Sequence, residues 1–436
     1  MARILIATMP IPGHVAPFAP VARQLAERGH EVVWYTSHHF QKSVERTGAA
    51  FAPLRHAYDF GDMDTEKHFP ERKHHTGMAQ IRFDFKHIFF DSIAGMLQDL
   101  REIRREFDPH VLLTDPTVVA GRVMSLQDHM PWAILNITVL GFPSRDVAPF
   151  GPGIPPDSSP LGRLRNRLLY HLMDQVLFAD VQRHLDRLVE AHGWPALSYQ
   201  FDSSPYLNLQ PSVPEFEYPR TDLPDSVHFI GPLLPETPAA FARPEWWDEV
   251  TGARPGRPVV LVTQGTVARS PEQLILPSIE ALADEDVSVI VATGGPTTGD
   301  LEALRGGQAL PGNVYVAPFV PFVPLMPHVD AYVTNGGYGG VTIALANGVP
   351  VVAGGVTEDK AEVAGRIAYS GVGVNLRTAT PTPDRVRGAV RTVLTDPSYR
   401  QSAQNLRDRM ALHNAAREAA DLLETLATTG KPVLAV

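Results

Sequence analysis

Cysteine is absent from the 436 residues. That excludes disulfides, thiolate catalysis and Cys-ligated metals together, and it leaves the redox compartment unread. A basic excess is missing too. With a net charge of -10 there is no positive surface to displace counterions, so nucleic acid is not an expected partner. No apolar run reaches membrane-spanning length. The first, in MARILIATMPIPGH, ends at Pro10 and lacks a signal-peptide cleavage site. These absences make a cytoplasmic enzyme the default. What is present, 44% hydrophobic and 20% charged residues, describes a soluble globular protein, and the length favours two domains.

Strand and helix signals alternate from the start. RILIAT (3–8) reads as a buried strand, VAPFAPVARQLAERG as a helix closing on Gly29, then EVVWYT, QKSVERTG and AFAPL as strand, helix and strand. HVLLT (110–114), a helix from Thr117 to Asp128, and WAILNI (132–137) continue the pattern. Inserted between them are a His-rich, charged stretch (56–80), a long amphipathic helix (82–107), a Pro/Gly loop (141–160) and a helix from Leu161 to His192. Prolines then recur through 205–258, around YLNLQ and VHFIG, which marks connection between domains. The alternation restarts with PVVLVTQGT and runs through VSVIVAT, NVYVA, AYVTN and VPVVAG to a helical C-terminus. The expected architecture is α/β: two doubly wound, Rossmann-like parallel sheets facing each other across a cleft, with ligands at the carboxyl ends of strands. The expected division is 1–215, a linker 216–257, 258–410, and a terminal helix and tail 411–436 that packs back on the first domain.

The richest local signal is VTNGGYGGVTIALANGVPVV (333–352). Glycines at a strand-to-helix turn let the backbone approach a ligand, and the helix N-terminus behind them suits an anion, most often phosphate. Thr342 stands where a dinucleotide fingerprint needs its third glycine, and no Gly-Lys-Ser/Thr follows. Hydride transfer and ATP hydrolysis are therefore disfavoured. In Ile11-Pro12-Gly13-His14 a histidine ends the first strand and faces the ligand crevice, where a helix N-terminus favours the neutral, basic ring. Asp115, in Thr114-Asp115-Pro116, ends a later strand of the same sheet and can reach it, fixing the imidazole tautomer. A packing histidine and a helix-capping aspartate are the plainer alternatives.

Together these residues resemble the GT-B glycosyltransferases of family 1, most closely the bacterial enzymes that glycosylate antibiotics and other natural products. The resemblance runs over nearly the whole chain. It rests on PGHVAPFAPVARQLAERGHEV, on VHFIGPLLP, and on residues 314–373 from VYVAPFVPFVPLMPHVDAYVTNGGYGG through GVPVVAG and TEDK to SGVG. It implies a nucleotide-diphosphate sugar, UDP- or dTDP-linked, as co-substrate in the C-terminal domain. It also implies a lipophilic small-molecule acceptor in the N-terminal one, and an inverting transfer that needs no metal or other cofactor. The resemblance makes His14 the base and Asp115 its partner. It assigns the donor to Gly265 and Thr266, to Phe319 and Val320 near the base, and to Asn335, Gly336, Gly337, Gly339, Gly340 and Val341 at the diphosphate. Glu358 and Asp359 hold sugar hydroxyls in this reading. Pro12, Gly13, Phe60, Phe85, Phe89 and Phe142 form the acceptor side. Three positions depart from the pattern: Asn335 for the usual His, Gly340 for Ser or Thr, and Lys360 for a frequent Gln. Asp62-Met63-Asp64 has the metal-binding spacing of another glycosyltransferase class, but it lies in a polar insertion rather than at a strand end, and His68, His74 and His75 read as solvated loop. A sugar-nucleotide epimerase or a non-catalytic nucleotide-sugar binder are the rival classes. The presence of both His14 and Asp115 favours catalysis.

Overall fold

Among the described residues, short runs rich in Val, Ile, Leu and Ala build thirteen strands. In the computed structural model, which describes residues 1–62, 65–236, 241–252, 257–265 and 270–435, they form two sheets. The first holds β1 (Arg3–Ala7), β2 (Glu31–Thr36), β3 (Ala50–Pro53), β4 (Val111–Thr114), β5 (Trp132–Leu135), β6 (Leu207–Gln210) and β7 (Val227–Phe229). The second holds β8 (Val259–Thr263), β9 (Ser288–Ala292), β10 (Val314–Ala317), β11 (Ala331–Thr334), β12 (Val351–Ala353) and β13 (Gly373–Asn375). Their orders are β3-β2-β1-β4-β5-β6-β7 and β10-β9-β8-β11-β12-β13, and every pairing is parallel. Both sheets thus reverse direction once, between β1 and β4 and between β8 and β11. Crevices for ligands open at such reversals.

Alternate residues of each central strand serve opposite cores, as the two-residue strand period requires. Ile4 and Ile6 pack with Phe18, Val21 and Leu25, while Leu5 and Ala7 pack with Met96 and Leu100. In the second sheet Val260 and Val262 face Ile279 and Val390, and Val259 and Leu261 face Leu345 and Leu406. The last helix, Ala415–Thr429, returns to the first domain, where Ala419, Ala420, Leu423 and Leu426 join the Phe18 core. Arg28 Nη1 fixes it through Asp421 at 2.6 Å and Glu424 at 3.0 Å.

Two features differ from the pattern read in the sequence. The proline-spaced stretch from 216 contains β7, which pairs with β6, so the first sheet extends past residue 215. YLNLQ and VHFIG, the strand-like pieces between the prolines, contain β6 and β7, and they pair into the first sheet rather than serving as connection. The long insert helices are also broken. The first is Met78–Asp84, a π-helical turn Phe85–Phe90, then Ile93–Phe107, and the second is Pro160–Leu172, a π-helical turn Met173–Leu177, then Ala179–His192. No helix among the described residues is long and apolar enough to cross a membrane.

The carboxyl ends of the two sheets meet. Tyr338, just past β11, donates its hydroxyl to the Pro211 carbonyl at 3.1 Å and receives the Gln210 amide at 3.2 Å. Nearby, Arg366 is wholly buried between Glu217 (2.7 Å) and Glu362 (2.9 Å) and lies over the Tyr218 ring. It also donates to the Leu140 carbonyl, while Glu362 accepts the N–H groups of Gly151 and Gly153. Burying one cation between two carboxylates is tolerable only because each is hydrogen-bonded, and the cluster fixes how the second domain sits on the first.

Candidate active site

β1 and β4 are neighbours, with Ala7 opposite Thr114, so the loops after them leave the sheet side by side. His14 rides on the short helix Pro12–Val15 after β1, and Asp115 follows β4 directly. His14 Nδ1 stands 3.3 Å from Asp115 Oδ1. The Thr117 hydroxyl lies 3.2 Å from the same nitrogen and donates to the same carboxylate oxygen. Backbone N–H groups of Met9 and Thr117 complete the cradle, each at 2.8 Å. Burial pushes the Asp115 carboxyl toward its neutral form, but the His14 ring, Thr117 and Met9 outweigh it and hold the pKa below the ordinary carboxylate value. A buried carboxylate at Nδ1 selects the tautomer protonated there and leaves Nε2 free to accept a proton. The His14 side chain is 14% exposed, so the ring is not sealed in the core.

The second reversal mirrors the first, with Thr263 opposite Thr334. Gly265 follows β8 at φ 79°, and a Cβ there would stand 3.2 Å from the Asn335 amide. Thr266 lies outside the described residues. Asn335 is buried and already engaged: its NH2 donates to the Gln264 carbonyl and its oxygen accepts the Gly337 N–H at 3.3 Å. These bonds brace two loops and use one of the two amide N–H donors. Gly336 turns the chain at φ 91°, and the helix Tyr338–Ala346 begins at once. Val341 spends its N–H on the Gly337 carbonyl and its side chain on the core, so the orphan N–H groups belong to the turn before it. The two candidate phosphate glycines differ. Gly339 is exposed with open space around it, whereas a Cβ on Gly340 would meet the Tyr332 hydroxyl at 2.5 Å.

Glu358, at φ 56°, is exposed and paired with Lys360. Asp359 is half-buried and accepts the Thr138 hydroxyl across the cleft at 2.6 Å. Burial raises its pKa, against the opposing pull of Thr138 and Lys360. Phe319 is 76% exposed and available for stacking, while Val320 belongs to the core.

On the acceptor side, Pro12 is half-buried and Gly13 exposed beside His14. Phe85 and Phe89 lie in a half-buried ring cluster, in which Phe85 also contacts Phe90, Phe178 and Phe201. Phe60 is buried in the core cluster against which Phe85 and Phe89 pack, and Phe142 lies in a small cluster with Leu140 and Val227 that Phe201 joins to Phe85. Asp62 faces His68 and Lys67, and Asp64 lies outside the described residues. A groove of about 560 Å³ beside the helix Ile93–Phe107 shares no residue with either reversal.

Comparison with known proteins decides what this arrangement belongs to. The chain is 45% identical to 4'-demethylrebeccamycin synthase of Lentzea aerocolonigenes over 429 residues, covering 98% of this chain and 99% of that protein. The chain belongs to the bacterial natural-product glycosyltransferases of GT-B family 1. UDP-glycosyltransferase 2 of Phaeomoniella chlamydospora is 33% identical, over 97% of this chain and 95% of the relative. The family model for the C-terminal domain of erythromycin biosynthesis protein CIII-like proteins matches residues 278–426. Among solved structures, the glycotransferase of kitacinnamycin superposes with a TM-score of 0.72 at 26% identity, covering 97% of this chain and 98% of that one.

Sequence reasoning passed over several residues of this glycosyltransferase. Thr117 ties His14 to Asp115, and Asp-Pro-Thr is a recognisable side-chain-to-backbone turn that could have flagged it. Thr138 and the Arg366–Glu217 pair have no such signal, because each pairs with a residue far away in sequence.

Proposed function

We propose that this glycosyltransferase transfers a sugar, with inversion, from a UDP- or dTDP-sugar to a lipophilic small-molecule natural product. The observation that carries the reading is the His14–Asp115–Thr117 cluster at one sheet reversal, with the glycine turn at the other, held together by contacts between the domains. His14 Nε2 takes the proton of the acceptor O–H or N–H as that atom bonds to the anomeric carbon. On the opposite face the bond from that carbon to the diphosphate oxygen breaks, and its electron pair leaves with the nucleotide. Asp115 keeps the ring oriented and stabilises the imidazolium that forms. The orphan N–H groups at Tyr338 to Gly340 and the helix N-terminus receive the diphosphate charge, so the reading needs no metal. Asp359 positions the sugar, Phe319 lies by the nucleotide base, and Phe85 and Phe89 wall the acceptor. The name of the fungal relative supports UDP-sugars as one donor class.

The test is incubation of the protein with a panel of UDP- and dTDP-sugars and polycyclic aromatic aglycones, following released nucleotide diphosphate and the anomeric configuration of the product. Release that depends on the aglycone, with an inverted product, supports the reading. Epimerised donor without acceptor, or a retained configuration, overturns it.

A further inference from the structure

The insert helices carry a side-chain cluster that the transfer chemistry leaves unused. His87 lies on the π-helical turn Phe85–Phe90 and Asp91 follows it four residues on, while His184 comes from the facing helix Ala179–His192. His87 Nδ1 is 2.8 Å from Asp91 Oδ2, and His184 Nε2 is 2.6 Å from Asp91 Oδ1. The two rings stand 5.5 Å apart, and one ligand atom from each residue lies within 4.8 Å of the others. One turn away, Lys86 and Asp180 already join the same two helices at 3.0 Å.

We propose that His87, Asp91 and His184 bind a borderline divalent transition-metal ion of the Zn²⁺, Co²⁺ or Ni²⁺ kind, which clamps the two inserts together. Two imidazoles and one carboxylate are the ligand set such ions prefer over Mg²⁺ or Ca²⁺, and water completes the shell at this partly exposed position. A tetrahedral ion with bonds of about 2.0–2.1 Å separates its ligand atoms by roughly 3.3 Å. The present contacts of 2.8 and 2.6 Å therefore open by about 0.5 and 0.7 Å, while the two imidazole nitrogens, now within 4.8 Å of each other, settle at the same spacing, by side-chain rotation of residues near the surface. Asp91 is available for the change. Among the described residues its two carboxylate oxygens meet these imidazoles and no other donor. Binding moves the proton of His184 from Nε2 to Nδ1 and that of His87 from Nδ1 to Nε2, and Arg187, exposed and 3.5 Å from His184 Nδ1, swings away.

A second cluster of the same composition fails the comparison. His56, Asp99 and Glu102 also lie close together, but Asp99 is buried and accepts the N–H groups of Arg55, His56 and Ala57 and the Tyr35 hydroxyl. Its lone pairs are spent on the fold. The proposed ion takes no part in the reaction, but its place gives it a consequence. Phe85 shares a turn with His87, Phe178 precedes the helix of His184, and their rings touch at 5.8 Å. Clamping the helices fixes that pair.

The experiment uses untagged full-length protein, stripped with chelator and dialysed, then titrated with Co²⁺ by visible absorption and with Zn²⁺ by calorimetry. One Co²⁺ per chain with ligand-field bands, displaced by Zn²⁺, is expected. His184→Ala and Asp91→Asn should each weaken binding by at least the roughly 10- to 100-fold that loss of even an outer partner costs. His56→Ala should leave it unchanged. Thermal melting checks each fold, and His87→Gln replaces any variant that fails. Absence of stoichiometric Co²⁺ binding, equal binding by the folded variants, or equal affinity for Mg²⁺ overturns the proposal.

Discussion

Gly339 and Gly340 are neighbours in sequence, yet the structure sets them opposite tasks, and replacing each with valine separates them. At Gly340 the new Cβ falls 2.5 Å from the Tyr332 hydroxyl and 3.4 Å from the ring carbon that bears it. Tyr332 is 1% exposed and packed edge-on against Phe322, so it cannot step aside. Overpacking of this kind costs about 1–3 kcal/mol, while leaving glycine in a helix returns at most about 0.8–1.0. The net is a loss of up to about 2 kcal/mol for the first methyl alone, and the two further carbons of valine add to it. For a domain of this size that is roughly 4–8 °C in melting temperature. At Gly339 no atom lies within 4 Å, so Gly339→Val should melt near the parent. Its side chain then stands where the diphosphate is placed. Loss of one or two charge-assisted hydrogen bonds, about 1.5–3 kcal/mol each, weakens UDP or dTDP binding by roughly ten- to hundredfold or more. Thermal melting and calorimetric nucleotide titration of the two variants give the comparison. If Gly339→Val binds nucleotide normally while Gly340→Val melts like the parent, both assignments are wrong.

Three further outcomes follow from the same geometry. Thr117→Val removes the hydroxyl between His14 and Asp115, and a hydrogen bond to a charged carboxylate, about 1.5–3 kcal/mol, predicts a roughly ten- to hundredfold fall in kcat with donor KM unchanged; a KM effect alone would refute the positioning role. Asp146 is buried, which raises its pKa, but Thr221 and Arg163 bind it strongly enough to bring it from the ordinary 3.8 to about 2. A depressed carboxyl pKa stabilises the fold above the unfolded value and loses that stability as pH falls through the folded one, so melting temperature should drop between about pH 4 and 2. Asp146→Asn should flatten that drop, and an unchanged pH profile would contradict it. Turnover should survive a strong chelator, and activity lost on chelation but restored by Mg²⁺ or Mn²⁺ would contradict a phosphate seat made of helix N–H groups.

The two parallel sheets are legible because buried parallel strands leave continuous apolar runs, whereas the strand orders that put β1 beside β4 and β8 beside β11 rest on pairings the alternation does not specify. His14 and the glycine turn stood out because each sits where a strand ends and a helix begins. Other features needed three dimensions. The bond from Asn335 to the Gln264 carbonyl spans 71 residues and joins adjacent strand ends, a pairing no local pattern announces. Phe60, Phe85, Phe89 and Phe142 share one apolar character in sequence, and only packing shows that Phe60 and Phe142 are buried while Phe85 and Phe89 are half-buried. The π-helical turns at Phe85–Phe90 and Met173–Leu177 preserve helical composition, so no periodicity marks them.

The central claim is that His14 removes the acceptor proton and has no part in holding the donor. Its most direct test is His14→Ala, measured in single turnover with a saturating UDP- or dTDP-sugar and a hydroxyl acceptor, beside calorimetric binding of the nucleotide diphosphate. The predicted result is a fall of roughly 10²- to 10⁴-fold in the transfer rate, with nucleotide affinity within twofold of the parent. Transfer at near the parent rate, or loss of nucleotide binding in a variant that still melts normally, would contradict it.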